Sequence, residues 1–191
     1  MTEMLHRDAV NVLTNWSNAD DTQLDLRRAY LEFLSDHPDG VVRECRVGHI
    51  TASALVMDES ATSVLLTLHP KVGRWLQLGG HLEVSDASVR AAALREAVEE
   101  SGLPESVMSI SASPLCLDRH PVPCGPGPMS EHLDVQFLVT VPRVLPPVRS
   151  DESDDLRWFL LDELPGGLDE SVLRLIRAAQ LTAGQTTGEE L

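Results

Sequence analysis

Aromatic residues are scarce in this chain: three Phe, three Trp and one Tyr among 191 residues. With so few rings, core packing accounts for the pairs Trp75-Leu76 and Trp158-Phe159. Strand alternation turns one member of each pair inward, so these rings reveal neither a base nor a sugar. Basic residues are also short, 15 Lys and Arg against 30 Asp and Glu, for a formal charge of −15. That balance excludes a nucleic-acid polymer as partner, since such binding needs a positive surface. It leaves room for a nucleotide-like small molecule, because a divalent cation inverts the local field. There are three cysteines, Cys45, Cys116 and Cys124, an odd number that cannot all pair. The N-terminus carries no hydrophobic signal segment, so a reducing cytoplasm is the expected compartment. No apolar run approaches the roughly 18 residues of a membrane span. Internal repeats and low-complexity segments are missing too.

What is present reads as one compact domain with an appendage. Residues 3–17 place Leu5, Ala9, Val10, Leu13 and Trp16 at helical spacing, and residues 22–35 repeat the pattern with Leu24, Leu26, Tyr30, Leu31 and Leu34. The polar break Asn18 to Asp21 makes these a helical hairpin. After the turn His37-Pro38-Asp39-Gly40 come strand-like runs at Ile50–Met57, Ser63–His69 and Arg74–Leu78, then a helix, then runs at Met108–Leu117, Leu133–Val141 and Leu156–Leu160. Asp169 to Gln180 reads as a closing helix, and the tail from Thr182 is polar. The expected division is residues 1–45 as a helical extension, 46–181 as the main domain and 182–191 as tail. The order of elements implies an α/β fold, an α/β/α sandwich around a mixed sheet.

The most informative stretch is Gly80 to Leu103, GHLEVSDASVRAAALREAVEESGL. At about 100° per residue, Glu96, Glu99 and Glu100 fall within roughly 100° of arc on one helix face. Like charges at this spacing weaken a bare helix by about 0.2–0.5 kcal/mol per pair. Arg95, one turn from Glu99, offsets part of the repulsion. A hard divalent cation with oxygen ligands, Mg²⁺ or Mn²⁺, would offset the rest. The competing reading is a solvated acidic face. The flanks favour the cation: Gly79-Gly80 turns the chain before the helix, Ser85 or Asp86 can cap it, and Gly102 with Pro104 ends it. Ala91, Leu94 and Val98 form an apolar stripe expected to dock on the sheet and turn the glutamates outward.

This stretch resembles the Nudix box of the Nudix hydrolases, G-x5-E-x7-REUxEExGU with U aliphatic. Gly80 matches the box glycine, and Arg95-Glu96, Glu99-Glu100 and Gly102-Leu103 fill the second half, with Ala97 at the U position. Asp86 stands at the box glutamate, and residues 87–94 insert one extra position before Arg95. The resemblance extends over about residues 48–165 and implies the same sandwich fold. It implies a metal-dependent pyrophosphohydrolase that cleaves the diphosphate linkage of a nucleotide, dinucleotide or nucleotide sugar by water attack. In that reading Glu99 and Glu100 are the principal metal ligands. Glu96 completes the cluster or takes a proton from water, the Gly80 carbonyl is a backbone ligand, and Arg95 orients a glutamate. Asp86 supports the ligands from behind, and His81, directly after the box glycine, either does the same or touches a phosphate or the metal. The alternatives are an isomerase of isopentenyl diphosphate, which Cys116 and Cys124 keep open, and a noncatalytic nucleotide sensor. Many relatives are dimers, so a homodimer is expected, with the helical hairpin as dimer contact or pocket cap.

A general base outside the box has three candidates. Asp134 leads, on the strand HLDVQFLVTV; Glu131 precedes that strand, and Glu152 lies in the acidic loop SDESDD. The Pro- and Gly-rich segment Leu117 to Ser130 reads as a long loop in the pocket wall, with His120 and His132 as pocket residues. Cys116, His120, Cys124 and His132 do not have the spacing of a zinc finger.

Overall fold

The computed structural model describes residues 2–18, 20–122, 129–151 and 153–186. Two helices, α1 (Thr2–Asn15) and α2 (Asp21–Asp36), precede one mixed sheet of eight strands. Its spine is β1 (Gly48–Asp58) parallel to β7 (Ser130–Val141), paired residue for residue from Gly48–Glu131 to Asp58–Val141. All other pairings are antiparallel. Beside β1 lie β2 (Ser63–His69) and β4 (Leu78–His81), and β2 in turn carries β3 (Arg74–Leu76) and β8 (Asp155–Leu160). Beside β7 lie β5 (Ser109–Ile110) and β6 (Cys116–Val122). Helix α3 (Val89–Ser101) packs on one face of the sheet and α4 (Glu170–Thr186) on the other.

Alternation along β1 divides the two faces. Ile50, Ala52, Ala54 and Val56 point toward α3, whereas Leu55 and Met57 pack with Val172, Leu175 and Ile176 of α4. The helical hairpin lies on the α3 side. Leu5, Ala9, Leu13, Trp16, Tyr30 and Leu34 share one core with Ile50, Ala52, Ala92, Ala93 and Phe137. The hairpin is therefore part of the core rather than an appendage. Gln23 of α2 completes the edge strand β6, donating to the Leu117 carbonyl at 3.1 Å and accepting its N–H at 2.7 Å.

Four expected elements differ in detail. The run Met108–Leu117 is broken into β5 and β6, because the Ser111 hydroxyl bonds the Ser113 carbonyl and accepts from the Leu138 N–H, a local alternative to the ladder. Arg74–Leu78 divides at Gln77, where the chain leaves β2 for β1. In the segment expected as a loop from Leu117 to Ser130, the described residues up to Val122 and Ser130 belong to strands β6 and β7. Strand β6 is an edge strand, where Pro121 is tolerated because one side makes no ladder bonds. Cys124 lies outside the described residues. The last helix continues past Gln180 to Thr186, over half of the expected tail.

Candidate active site

The acidic helix lies against the glycine strand, and its orientation is the principal correction to the sequence reading. The buried residues of α3 are Val89, Ala92, Ala93, Glu96, Ala97, Glu100 and Ser101, one face at 3–4-residue spacing. Ala91, Leu94 and Val98, the expected docking stripe, are only half-buried. Alanines on the inward face let the helix approach the sheet closely, and this close approach carries two glutamates inward with it. Glu96 is 8 % exposed and Glu100 9 %, while the Glu99 side chain stands out at 58 %.

Gly80 opposes this face. A Cβ there would lie 2.6 Å from Glu96 Oε1 and 2.9 Å from Oε2, so the carboxylate occupies the space a side chain would need. The neighbouring Gly79 N–H donates to Glu100 Oε1 at 3.3 Å. The helix starts from Ser88, whose hydroxyl accepts from the Ala91 N–H at 3.0 Å. Ser88 is thus the cap, rather than Ser85 or Asp86. A second acceptor comes from the hairpin: the Val89 N–H donates to Asp8 Oδ2 at 2.7 Å. The helix ends at Gly102 in the left-handed region, φ 64°, as expected for a glycine stop.

Arg95 gathers the cluster. Its Nε donates to Asp86 Oδ1 at 3.0 Å and its Nη2 to Asp86 Oδ2 at 3.1 Å. Nη1 donates to Glu96 Oε1 at 2.9 Å and Glu99 Oε2 at 3.0 Å, and Nη2 also reaches the His81 carbonyl at 2.9 Å. Every N–H of the guanidinium is used. The Asp86 bonds, then Glu96, hold the guanidinium firmly charged despite partial burial. Asp86 itself accepts from the Glu83 N–H at 2.7 Å, which fixes the loop before the helix. The shorter acid and the extra residue upstream therefore still deliver a bidentate partner to Arg95.

The site is thus a loop–helix–loop with two inward carboxylates over a glycine strand, one outward carboxylate, and one guanidinium that binds Glu96 and Glu99. Glu96, Glu99 and Glu100 offer carboxylate oxygens, the kind of donor that a hard divalent ion takes. The NUDIX domain model matches residues 48–179. The chain belongs to the Nudix family. Solved structures agree. A NUDIX-family hydrolase from Clostridium perfringens is 25 % identical, with a TM-score of 0.53, over 70 % of this chain and 97 % of that one. An Ap4A hydrolase from C. elegans superposes with a TM-score of 0.55 at 16 % identity, over 71 % of this chain and 98 % of that one. The NUDIX domain of Shewanella oneidensis NrtR, solved with ADP ribose, gives 0.52 at 20 % identity, over 71 % and 88 %. No curated protein matches the chain. The protein is a Nudix-type hydrolase acting on acid anhydrides in phosphorus-containing substrates.

The remaining Nudix candidates fall elsewhere. Asp134 is buried on the sheet face opposite α3, level with Thr51. It accepts from Thr51 at 3.0 Å, Ser53 at 2.6 Å, Gln136 at 3.1 Å and Gln77 at 3.3 Å. Burial pushes its pKa up. A carboxylate so enclosed and so placed does not face the acid cluster. Glu131, half-exposed, is paired with Arg119, its carboxylate accepting from the guanidinium Nε at 2.7 Å. Glu152 lies outside the described residues. The His120 Nδ1–H donates to the Asp118 carboxylate at 2.9 Å, which also receives Arg174 of α4 at 2.8 Å. The Asp118 bond raises the His120 pKa. His81, His120 and His132 all join a cluster with His49 on the α4 side of the sheet, a grouping the linear spacing conceals. His49, missed from the sequence, pairs with His132 in register.

Proposed function

We propose that this Nudix hydrolase is a metal-dependent pyrophosphohydrolase that cleaves the diphosphate linkage of a nucleoside diphosphate derivative by water attack. The observation that carries the reading is the Glu96 carboxylate seated in the space over Gly80, with Glu100 beside it on the same buried face. Glu99, Glu100, Glu96 and the Gly80 carbonyl would hold the ion, Mg²⁺ or Mn²⁺. When bound, such an ion neutralises phosphate oxygens and lowers the pKa of water. The protein's own part is positional. Arg95 holds Glu96 and Glu99 at fixed geometry, Asp86 holds Arg95, and Glu96 completes the cluster or takes a proton from the attacking water. Asp134 and Glu131 are weaker candidates for that proton, for the reasons of placement and pairing given above.

The substrate class rests on the chain's charge and on its relatives. Net charge −15 argues for a small diphosphate rather than a polymer. The C. elegans relative is named for Ap4A and the Shewanella relative was solved with ADP ribose, which support a dinucleotide or nucleotide sugar. The thiols of Cys45 and Cys116 are free, in keeping with the reducing cytoplasm expected from the sequence. No described helix is long and apolar enough to cross a membrane. The hairpin's apolar faces are buried within the chain, which argues against it as the contact of a homodimer; sedimentation equilibrium tests that directly.

The deciding experiment is phosphate release, coupled to a phosphatase, across a broad panel of diphosphate compounds with Mg²⁺ and with Mn²⁺. Turnover abolished in Glu100→Gln is the expected result. No turnover of any compound, with calorimetric binding of a nucleotide, would replace this reading with a sensor. The isomerase reading loses ground in the structure. Cys116 packs in the core under α4, and burial pushes its thiol up to about 11.

A further inference from the structure

Three strands assemble a second ligand set on the sheet face opposite α3. His49 of β1 is level with His132 of β7, and His81 of β4 pairs with Thr51, two residues along β1. Their ring centroids are 4.9 Å apart for His49–His132, 5.0 Å for His49–His81 and 5.1 Å for His81–His132. One nitrogen from each ring can be chosen so that all three lie within 4.8 Å of one another.

Hydrogen bonding does not account for two of the three rings. His49 is fully buried, and its Nδ1 faces the Cys45 carbonyl at 3.4 Å. That contact sets the proton on Nδ1 and leaves Nε2 with a lone pair, yet the buried Nε2 has no hydrogen-bond partner. The His81 Nε2 is buried and unsatisfied as well. Simple N–H···N pairing between the rings would have used these atoms. A buried polar nitrogen left unpaired carries its full desolvation cost, so something else is expected to meet it.

We propose that His49, His81 and His132 bind a borderline first-row divalent cation, of which Zn²⁺ is the best fit. Imidazole nitrogens suit such ions, and three of them with a fourth position open is an established zinc arrangement. Mg²⁺ prefers oxygen and so goes to the glutamates on the other face. The His49–Cys45 contact is the kind of outer hydrogen bond that orients a metal-ligating ring. At Zn–N distances of about 2.0–2.1 Å tetrahedral nitrogens stand about 3.3 Å apart, so nitrogens within 4.8 Å of one another must draw together by up to about 1.5 Å, within reach of side-chain torsions. His81 and His132 are half-buried, which leaves an approach for the ion. Bound there, the ion ties β1, β4 and β7 together beside Gly79 and Gly80, and steadies the residue whose carbonyl receives Arg95. Of the four residues whose linear spacing argued against zinc, only His132 belongs to this set.

The test uses the full chain, stripped with a chelator and titrated with Zn²⁺ in excess Mg²⁺, which fills the oxygen sites. One equivalent is expected to bind. His132→Gln and His81→Gln, each with native circular dichroism, should weaken it by about 10–100-fold or more. Glu100→Gln should leave it unchanged. In Co²⁺-loaded protein the visible absorption should be the intense kind given by four-coordinate nitrogen ligation. Equal Zn²⁺ affinity in both histidine variants, or loss of it in Glu100→Gln, overturns the proposal. Should the variants fail to fold, nitrogen NMR of the wild-type imidazoles decides: Zn²⁺ must shift His49, His81 and His132 together, and unmoved signals refute the site.

Discussion

Arg95 shows how a single residue can organise a site. A guanidinium presents five donors in a rigid fork, and here each has a carboxylate or carbonyl acceptor. Lysine keeps the charge but cannot make this set of bonds. Arg95→Lys is therefore expected to lower kcat/KM by about 10–100-fold, the usual cost of losing a residue that orients metal ligands, with the fold intact by circular dichroism. Asp86→Asn keeps one acceptor oxygen for Arg95 and should cost less than Glu100→Gln, measured side by side with the same substrate. Equal losses would place Asp86 among the ligands rather than behind Arg95. Gly80→Ala puts a methyl against the Glu96 carboxylate. It should depress activity and Mg²⁺ affinity while leaving β4 paired with β1, since the first obstacle is a side-chain end and not backbone.

Helix α3 is the element on which the site depends, and its N-terminal end is capped twice. Ser88 caps it from its own loop, whereas Asp8 caps it from α1. Removing a capping acceptor typically costs about 0.5–2 kcal/mol, so Asp8→Ala should lower the denaturation midpoint by an amount in that range. The residues of the site are then unchanged chemically, and any fall in kcat at saturating Mg²⁺ would measure how far the hairpin positions the glutamates. The inward face of α3 is not the one that hydrophobic periodicity marks out. Leu94 and Val98 are the larger apolar side chains, and hydrophobic periodicity gives them weight. The close contact with the sheet is made instead by Ala92, Ala93 and Ala97, which are small enough to fit.

In the whole molecule, the helical hairpin and the sheet have one core. Tyr30 is fully buried and donates its hydroxyl to the Asp118 carbonyl at 2.6 Å, and the Trp16 indole donates to the Pro114 carbonyl at 2.6 Å. Deleting residues 1–45 would bare Ile50, Ala52, Leu133, Val135 and Phe137 on the α3 side. The truncated chain is expected to aggregate or to lose cooperative unfolding, monitored by far-ultraviolet circular dichroism against denaturant; a sharp, cooperative transition would show a separable appendage instead. The two faces of the sheet also carry different chemistry. Oxygen donors gather under α3, and imidazoles gather on the face toward α4.

The sequence by itself determined the family, the order of helices and strands, the glycine stop of α3 and the residues of the acid cluster. Each of these is a matter of spacing within one element or one turn, and local periodicity, caps and the REAVEESG run report such spacing directly. Only the tertiary structure decided which glutamates face inward, that Asp8 caps a helix eighty residues away, and that Asp134 is enclosed on the far face. It alone brought His49, His81 and His132 into contact. Those outcomes depend on strand register: β1 parallel to β7 and antiparallel to β4 sets three distant histidines side by side. Register arises from packing the whole sheet, and no stretch of the chain encodes it alone.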